Sequence, residues 1–198
     1  MIFAGLKVTS RPTEPDDFDT LDEIDISAAS TWGWRYGREL PSRKERQQFM
    51  FEGALLQRLF LSNTDGSVIG YGTIYDADLR NGTAWLALVA SPERRGTGTS
   101  LVGLGLLVEE AFAEWPLRKL YIEASDLSLS RYASGMRDGT IVSVGKFEEQ
   151  IELPDGTLAS THWLELDREV WRATWSPFIR RRLQAAKDYG LADGAQVV

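Results

Sequence analysis

The chain has 198 residues, 43% of them apolar and 26% charged, which suits one well-buried globular domain over residues 1–198 and is short for two. Its 29 acidic against 22 basic residues give a net charge of −7, which argues against general nucleic-acid affinity and favours a cationic partner such as an amine. No apolar run approaches the roughly 18 residues of a membrane span. With no cysteine, disulfides, thiolate metal sites and a cysteine nucleophile are excluded, and a single histidine excludes a histidine-rich metal centre. Residues 1–7 lack the basic-then-apolar layout of a signal peptide, so the chain is expected in the cytoplasm, with no metal, nucleic acid or membrane as partner.

A short first strand is expected over Lys7 to Arg11, closed by Pro12 and Pro15. Asp16 or Asp17 then suits the cap of a helix running over Phe18, Leu21, Ile24 and Asp25. Glu14, Asp16, Asp17, Asp19, Asp22, Glu23 and Asp25 make the outer face of that helix acidic, either as a solvated face or as a recognition surface for a basic substrate. An aromatic loop broken by glycine follows over residues 30–37. Its Trp32, Trp34 and Tyr36 either wall a substrate pocket or close the core from one side. A second helix begins near Ser42, with Glu45 three residues on as a capping box. Leu55 to Leu61 and Val68 to Tyr75 read as a hairpin around residues 63–66, and a second turn over Asp78 to Gly82 leads into an apolar strand, Thr83 to Ala90.

After that strand the chain turns through Pro92, Glu93, Arg94, Arg95, Gly96, Thr97, Gly98, Thr99 and Ser100 into a long helix. The helix is marked by Leu101, Leu104, Val108, Phe112 and Trp115 at helical spacing. Gly96 and Gly98 let the backbone approach an anion closely, and the first amides of the helix, at its positive dipole end, suit pyrophosphate oxygens. Arg94 and Arg95 add positive charge. The spacing fits neither a Walker loop nor a dinucleotide fingerprint. Leu117 to Ala124 is the next strand. Being reached through a helix, it lies parallel to Thr83–Ala90 by the right-handed crossover rule, so a cleft forms at the C-terminal ends of the pair, where Pro92 removes an amide. Asp126 to Gly135 is a short helical segment. A strand from Val144, a turn at Asp155 and Gly156, and a strand from Trp163 follow. A basic helix over Arg168 to Leu183, carrying Arg180, Arg181 and Arg182, reads as a solvated face or a dimer contact, and a frayed tail begins at Gly190.

Arg95 and Gly98 in this turn resemble motif A of the GNAT acetyltransferases, Arg/Gln-x-x-Gly-x-Gly/Ala, with Ser100 departing from the usual Gly or Ala but keeping a small residue. The ending, with Gly145 and Phe147 on a strand and then Arg168, Glu169 and Trp171, is similar to the branch that acetylates ribosomal-protein N-termini. Together these cover roughly residues 55 to 172. The resemblance implies an α+β fold: a mixed, mostly antiparallel sheet of six to seven strands, helices on both faces and a central splayed parallel pair. It implies acetyl-CoA as co-substrate, with its pyrophosphate on Arg94 to Ser100 and its pantetheine arm against Leu88, Val89 and Ala90. A backbone amide of those three residues would hold the oxyanion of the tetrahedral intermediate.

The resemblance also implies a tyrosine, best matched by Tyr132, that protonates the leaving thiolate, with Ser134 competing if the helix starts two residues later. The family's usual Asn near the helix start is absent, and Asp126 or Ser128 is the nearest replacement. The implied reaction is direct acetyl transfer to a primary amine of a small molecule or a peptide N-terminus. A non-catalytic acyl-CoA sensor and a transferase for longer acyl groups are the alternatives. An amine attacks a thioester only when unprotonated, so a base is needed. Glu123 is the first candidate, followed by Asp76, Asp78 and His162. Glu123 and Tyr121 share one face of their strand, so only that face serves the site. Trp32, Trp34 and Tyr36 are expected on the acceptor side.

Overall fold

The computed structural model describes residues 8–32, 40–153 and 155–181. Seven strands form one sheet: β1 (Val8–Pro12), β2 (Ala54–Ser62), β3 (Val68–Asp78), β4 (Thr83–Ala90), β5 (Lys119–Ser125), β6 (Val142–Glu152) and β7 (Leu158–Asp167). Their order across the sheet is β1-β2-β3-β4-β5-β7-β6, and every neighbouring pair is antiparallel except β4 and β5. Helices among the described residues include α1 (Phe18–Trp32), α2 (Arg43–Phe51), α3 (Thr99–Glu114), α4 (Asp126–Leu129), α5 (Ala133–Arg137) and α6 (Arg168–Thr174). This is the expected α+β class, with the parallel pair where the crossover rule places it.

Alternation along the strands splits the core into two layers. On one face Leu86, Leu120, Ile122 and Leu164 meet Leu104, Leu107, Val108, Ala111 and Phe112 of α3. On the other, Leu59, Tyr71 and Val89 meet Phe18, Leu21, Ile24 and Ala28 of α1 and Met50 of α2. Close approach of α3 to the sheet depends on Gly103, where an added Cβ would lie 2.7 Å from the Phe60 ring. Leu101 was expected in the buried stripe of this helix. It is 42% exposed, because the buried arc of α3 begins only at Gly103.

The acidic helix departs from expectation. Glu14, not Asp16 or Asp17, caps the helical entry: Asp17 returns its carboxylate to the Glu14 amide at 2.8 Å, in a one-turn 3-10 segment that runs straight into α1. Asp22 and Asp25 are buried and face inward. Asp22 receives a bidentate pair from Arg46 of α2 at 2.6 and 2.8 Å, and Asp25 accepts a hydrogen bond from the Tyr71 hydroxyl of β3. Two of the seven acidic residues, Asp22 and Asp25, therefore form a structural joint between helices and sheet. Ser42 caps α2 in the capping box with Glu45 that the spacing predicts. The helical stretch expected over Arg168–Leu183 is interrupted at Trp175 and resumes over residues 176–181. Arg180 is not a free basic residue: its Nε donates to Glu109 of α3 at 2.5 Å, and Trp171 and Ser176 donate to the same carboxylate at 2.9 and 3.0 Å.

Candidate active site

The parallel ladder is short. Thr83 pairs with Lys119, Ala84 with Leu120 and Trp85 with Tyr121, and there it ends. Beyond Trp85, β4 stays paired with β3 through Ala90, while β5 stays paired with β7 through Ser125. The two strands therefore part company at their C-terminal ends, each held to its other neighbour. Into the gap opens a cavity of about 100 Å³ lined by Leu86, Ala87, Leu88, Val89 and Ala90 of β4, Ile122 and Glu123 of β5, Tyr75 of β3, and Ala28 of α1. Arg95 closes it from the glycine turn, and Ser128, Arg131 and Tyr132 close it from the segment after β5.

Local structure explains each arrival. Leu120, Ile122 and Ala124 of β5 are buried against the α3 layer, so period-2 alternation turns Tyr121 and Glu123 to the other face, where Glu123 is exposed. Ser125 starts α4, one 3-10 turn follows over Ser130–Tyr132, and α5 continues from Ala133. This places Tyr132 at the junction of two short helices, half-buried and packed on the α3 layer. Burial pushes its phenol pKa above the ordinary 10.0, with Arg131 offsetting part of that rise. The hydroxyl is therefore a proton donor across the neutral range.

At the turn, Gly96 and Gly98 adopt φ values of +77° and +76°, and no atom lies within 4 Å of where either Cβ would stand. A left-handed backbone with open space above it leaves the start of α3 uncovered for an anion. Thr97 Oγ1 donates to the Arg94 carbonyl at 2.8 Å and lies 2.7 Å from Thr99 Oγ1, which fixes the turn's shape. Thr99 and Ser100 form the first residues of α3. Burial and then the neighbouring Arg131 charge lower the pKa of Arg95, whose Nη2 donates to Ser27 of α1 at 3.0 Å. Two guanidiniums held near each other at a cavity mouth form a natural seat for a phosphate or other anion.

Several expected residues fall elsewhere. Arg94 turns to the β2–β3 hairpin, where it meets Asp65 at 2.9 Å and Ser67 at 2.6 Å, so it braces the turn from behind. The carboxylate of Asp126 points at β7, taking the His162 ring nitrogen at 2.7 Å and the Ser160 amide at 3.1 Å. Ser128, the other substitute for the absent Asn, is the one in the cavity lining. His162 and Asp78 are likewise committed, the latter to Asn81 at 2.9 and 2.6 Å. Trp32 is the last residue of α1, so residues 30–32 of the expected loop are helical; the Trp32 side chain, Trp34 and Tyr36 lie outside the described residues. Arg131 had not been singled out from sequence. A basic residue immediately before Tyr132 in a segment following the parallel strand was the available signal.

No protein-family model and no curated protein matches the chain. Solved structures do. The spermidine N-acetyltransferase of Vibrio cholerae, in complex with CoA and spermine, is similar with a TM-score of 0.69 at 14% identity over 83% of this chain and 98% of that one. A probable acetyltransferase is similar with a TM-score of 0.63 at 23% identity over 83% of this chain and 95% of that one. The chain therefore has the fold of these acetyltransferases, with the splayed parallel pair of strands in the middle of the sheet.

A substitution tests the turn directly. Gly98→Val forces a β-branched side chain into a left-handed conformation, at a strain of roughly 1–3 kcal/mol, and puts a side chain into the open space above the turn. CoA affinity measured by calorimetry is expected to fall by more than about tenfold.

Proposed function

We propose that the chain is an acetyl-CoA-dependent N-acetyltransferase that passes an acetyl group directly to a primary amine of a small molecule or a peptide N-terminus. The observation that carries this reading is that Glu123 and Tyr132, from opposite layers of the sheet, enter one cavity at the point where β4 and β5 separate. In this reading the pyrophosphate of CoA lies on Gly96 to Ser100 with Arg95 beside it, and the pantetheine arm runs along Leu88 to Ala90. Support for the phosphate end comes from the open glycine turn and from the mutual approach of Arg95 and Arg131. The ending shared with the ribosomal-protein N-terminal acetyltransferases supports placement near that branch. The same branch serves small amines, so the acceptor is argued separately below.

Chemically, the ammonium gives one proton to Glu123, directly or through one water, and the freed amine forms a C–N bond to the thioester carbonyl, its nitrogen losing a second proton to solvent as the tetrahedral intermediate collapses. The resulting oxyanion is held by a backbone amide of Leu88 to Ala90. As the carbon–sulfur bond breaks, the Tyr132 hydroxyl gives its proton to the thiolate, leaving CoA and the N-acetyl product. The phenoxide is then reprotonated from solvent or from the proton passed to Glu123. A cavity of about 100 Å³ has room for the reacting ends and a two-carbon acyl group.

The test is incubation of the full chain with acetyl-CoA and a panel of primary amines, following release of free thiol. Thiol release that depends on the amine supports the reading. Tight acetyl-CoA binding without transfer to any amine overturns it in favour of an acyl-CoA sensor. Glu123→Gln is expected to lower turnover of a strongly basic alkylamine by up to about 10²-fold, and by less for a weakly basic amine that is already unprotonated at the assay pH. The KM for acetyl-CoA is expected to stay within about twofold, because the carboxamide keeps the shape of the cavity wall. An equal loss with both amines would assign Glu123 a structural role.

A further inference from the structure

The proposed transfer leaves one feature of the sheet unused. Trp85 of β4, Tyr121 of β5, Trp163 of β7 and Phe147 of β6 form a continuous row of rings across four strands. Ring centroids are 5.7 Å apart for Trp85 and Tyr121, 5.1 Å for Trp85 and Trp163, and 4.9 Å for Phe147 and Trp163. All four lie on the face that carries α1, by register with Tyr75 and Thr161 and by alternation with Val89, and among the described residues α1 packs chiefly on the β2–β4 side of the sheet. The three inner rings are half-buried and Phe147 is 41% exposed. Burying aromatic surface is favourable, and a row of rings left open in this way suits a ligand more than it suits water.

The row meets the cavity at two points. Glu123 is the cross-strand partner of Trp163, and Tyr75 is the cross-strand partner of Trp85; both Glu123 and Tyr75 line the cavity. Directly opposite residues on one sheet face stand about 5 Å apart at Cβ. A nitrogen placed at Glu123 therefore has the Trp163 and Trp85 rings within reach of a short linker. Charge on this face is sparse, because Glu165, the next carboxylate along, is paired with Lys119 at 2.7 Å. A polyamine would need carboxylates repeated along its length, and a peptide would bring backbone amides that rings cannot satisfy.

We propose that the acceptor is a primary amine whose body is a flat aromatic ring on a linker of two or three carbons, an arylalkylamine in class. Its ring adds to the row against Trp163 and Trp85 while its ammonium is drawn to Glu123. This inference rests on the transferase reading for the fate of the amine, but the binding itself does not require turnover. Edge-to-face contact with the half-buried indoles selects a ring over a saturated chain of the same length, and the cationic head adds attraction to ring faces and to the carboxylate.

The experiment titrates the CoA-loaded full chain calorimetrically with 2-phenylethylamine, n-hexylamine and spermidine, and assays the same amines for acetylation. The aromatic amine is expected to bind at least about tenfold more tightly than the aliphatic one. Trp163→Ala is expected to abolish that preference, and Trp163→Phe to keep most of it. Should Trp163→Ala fail to fold, Trp85→Leu reads the same preference. Equal or tighter binding of n-hexylamine or spermidine, or a preference that survives loss of the indoles, overturns the inference while the transferase reading stands on its own assay. Tight, indole-dependent binding of the aromatic amine without any acetylation supports the recognition surface and overturns the transferase reading.

Discussion

Tyr132→Phe is expected to lower turnover by about 10² to 10⁴-fold while leaving acetyl-CoA affinity nearly unchanged. The ring is retained, so packing on the α3 layer survives and only the proton is lost. In the proposed reaction the thiolate would then leave unprotonated from a buried site, which is costly because desolvation disfavours the anion. Burial holds the phenol pKa above 10.0, so the group stays protonated throughout the neutral range and any loss of activity through its ionisation falls on the alkaline side of that value. The measurement is a single-turnover rate with calorimetric CoA binding alongside. Ser134, the competing position, is exposed on α5 and outside the cavity lining, so Ser134→Ala is expected to leave turnover unchanged. A damaging Ser134→Ala with a harmless Tyr132→Phe would move the acid to that position.

Glu109→Ala is expected to destabilise the fold by about 2–4 kcal/mol, because two buried donors, the Trp171 indole and the Ser176 hydroxyl, lose their acceptor at roughly 1–3 kcal/mol each. Arg180 loses less, its side chain being 62% exposed and free to turn to water. For a chain of this length the thermal midpoint should fall by roughly 5–15 °C. Glu109→Gln keeps one acceptor oxygen and is expected to cost under half as much. Burial alone pushes the Glu109 pKa up, but hydrogen bonds from Arg180, Trp171 and Ser176 outweigh it and hold the pKa below the ordinary 4.5. A lowered native pKa contributes stability that is present above the ordinary carboxylate range and lost as pH falls through the native value. The gap in melting temperature between wild type and Glu109→Ala should therefore narrow in acid. A gap that stays constant with pH would mean that the ionised carboxylate is not the stabilising form.

The parts of the molecule legible in sequence were those set by neighbours along the chain. Thr83–Ala90 is an unbroken apolar run between turn residues and appears as β4 with the expected ends, and the Ser42 and Glu45 cap lies within a single helical turn. The crossover rule needed only a strand, a helix and a strand to predict the parallel pair. Asp22 and Asp25 read as solvated because nothing near them in sequence shows that Arg46 and Tyr71 arrive from 24 and 46 residues away. Arg180 read as a free basic residue for the same reason, its carboxylate partner lying 71 residues earlier. At the site, strand alternation turned Glu123 towards the cleft and the family resemblance singled out Tyr132, and both line the cavity. Asp126 was misplaced since its first residue of helix could face either the cleft or β7, and only the packed sheet decides that it takes His162. The aromatic row was illegible altogether: Trp85, Tyr121, Phe147 and Trp163 are spread over four strands and meet only through register.

The three-rung ladder between β4 and β5 has a mechanical consequence. It is the seam along which the sheet is weakest, with a four-stranded block, β1 to β4, on one side and the three-stranded block of β5, β7 and β6 on the other. Each block is stitched internally by longer antiparallel ladders, so strain applied to the sheet concentrates at the seam. In the proposed reading, the pantetheine arm, with amide groups to offer both edges, would take the place of the missing rungs and rivet the two blocks together.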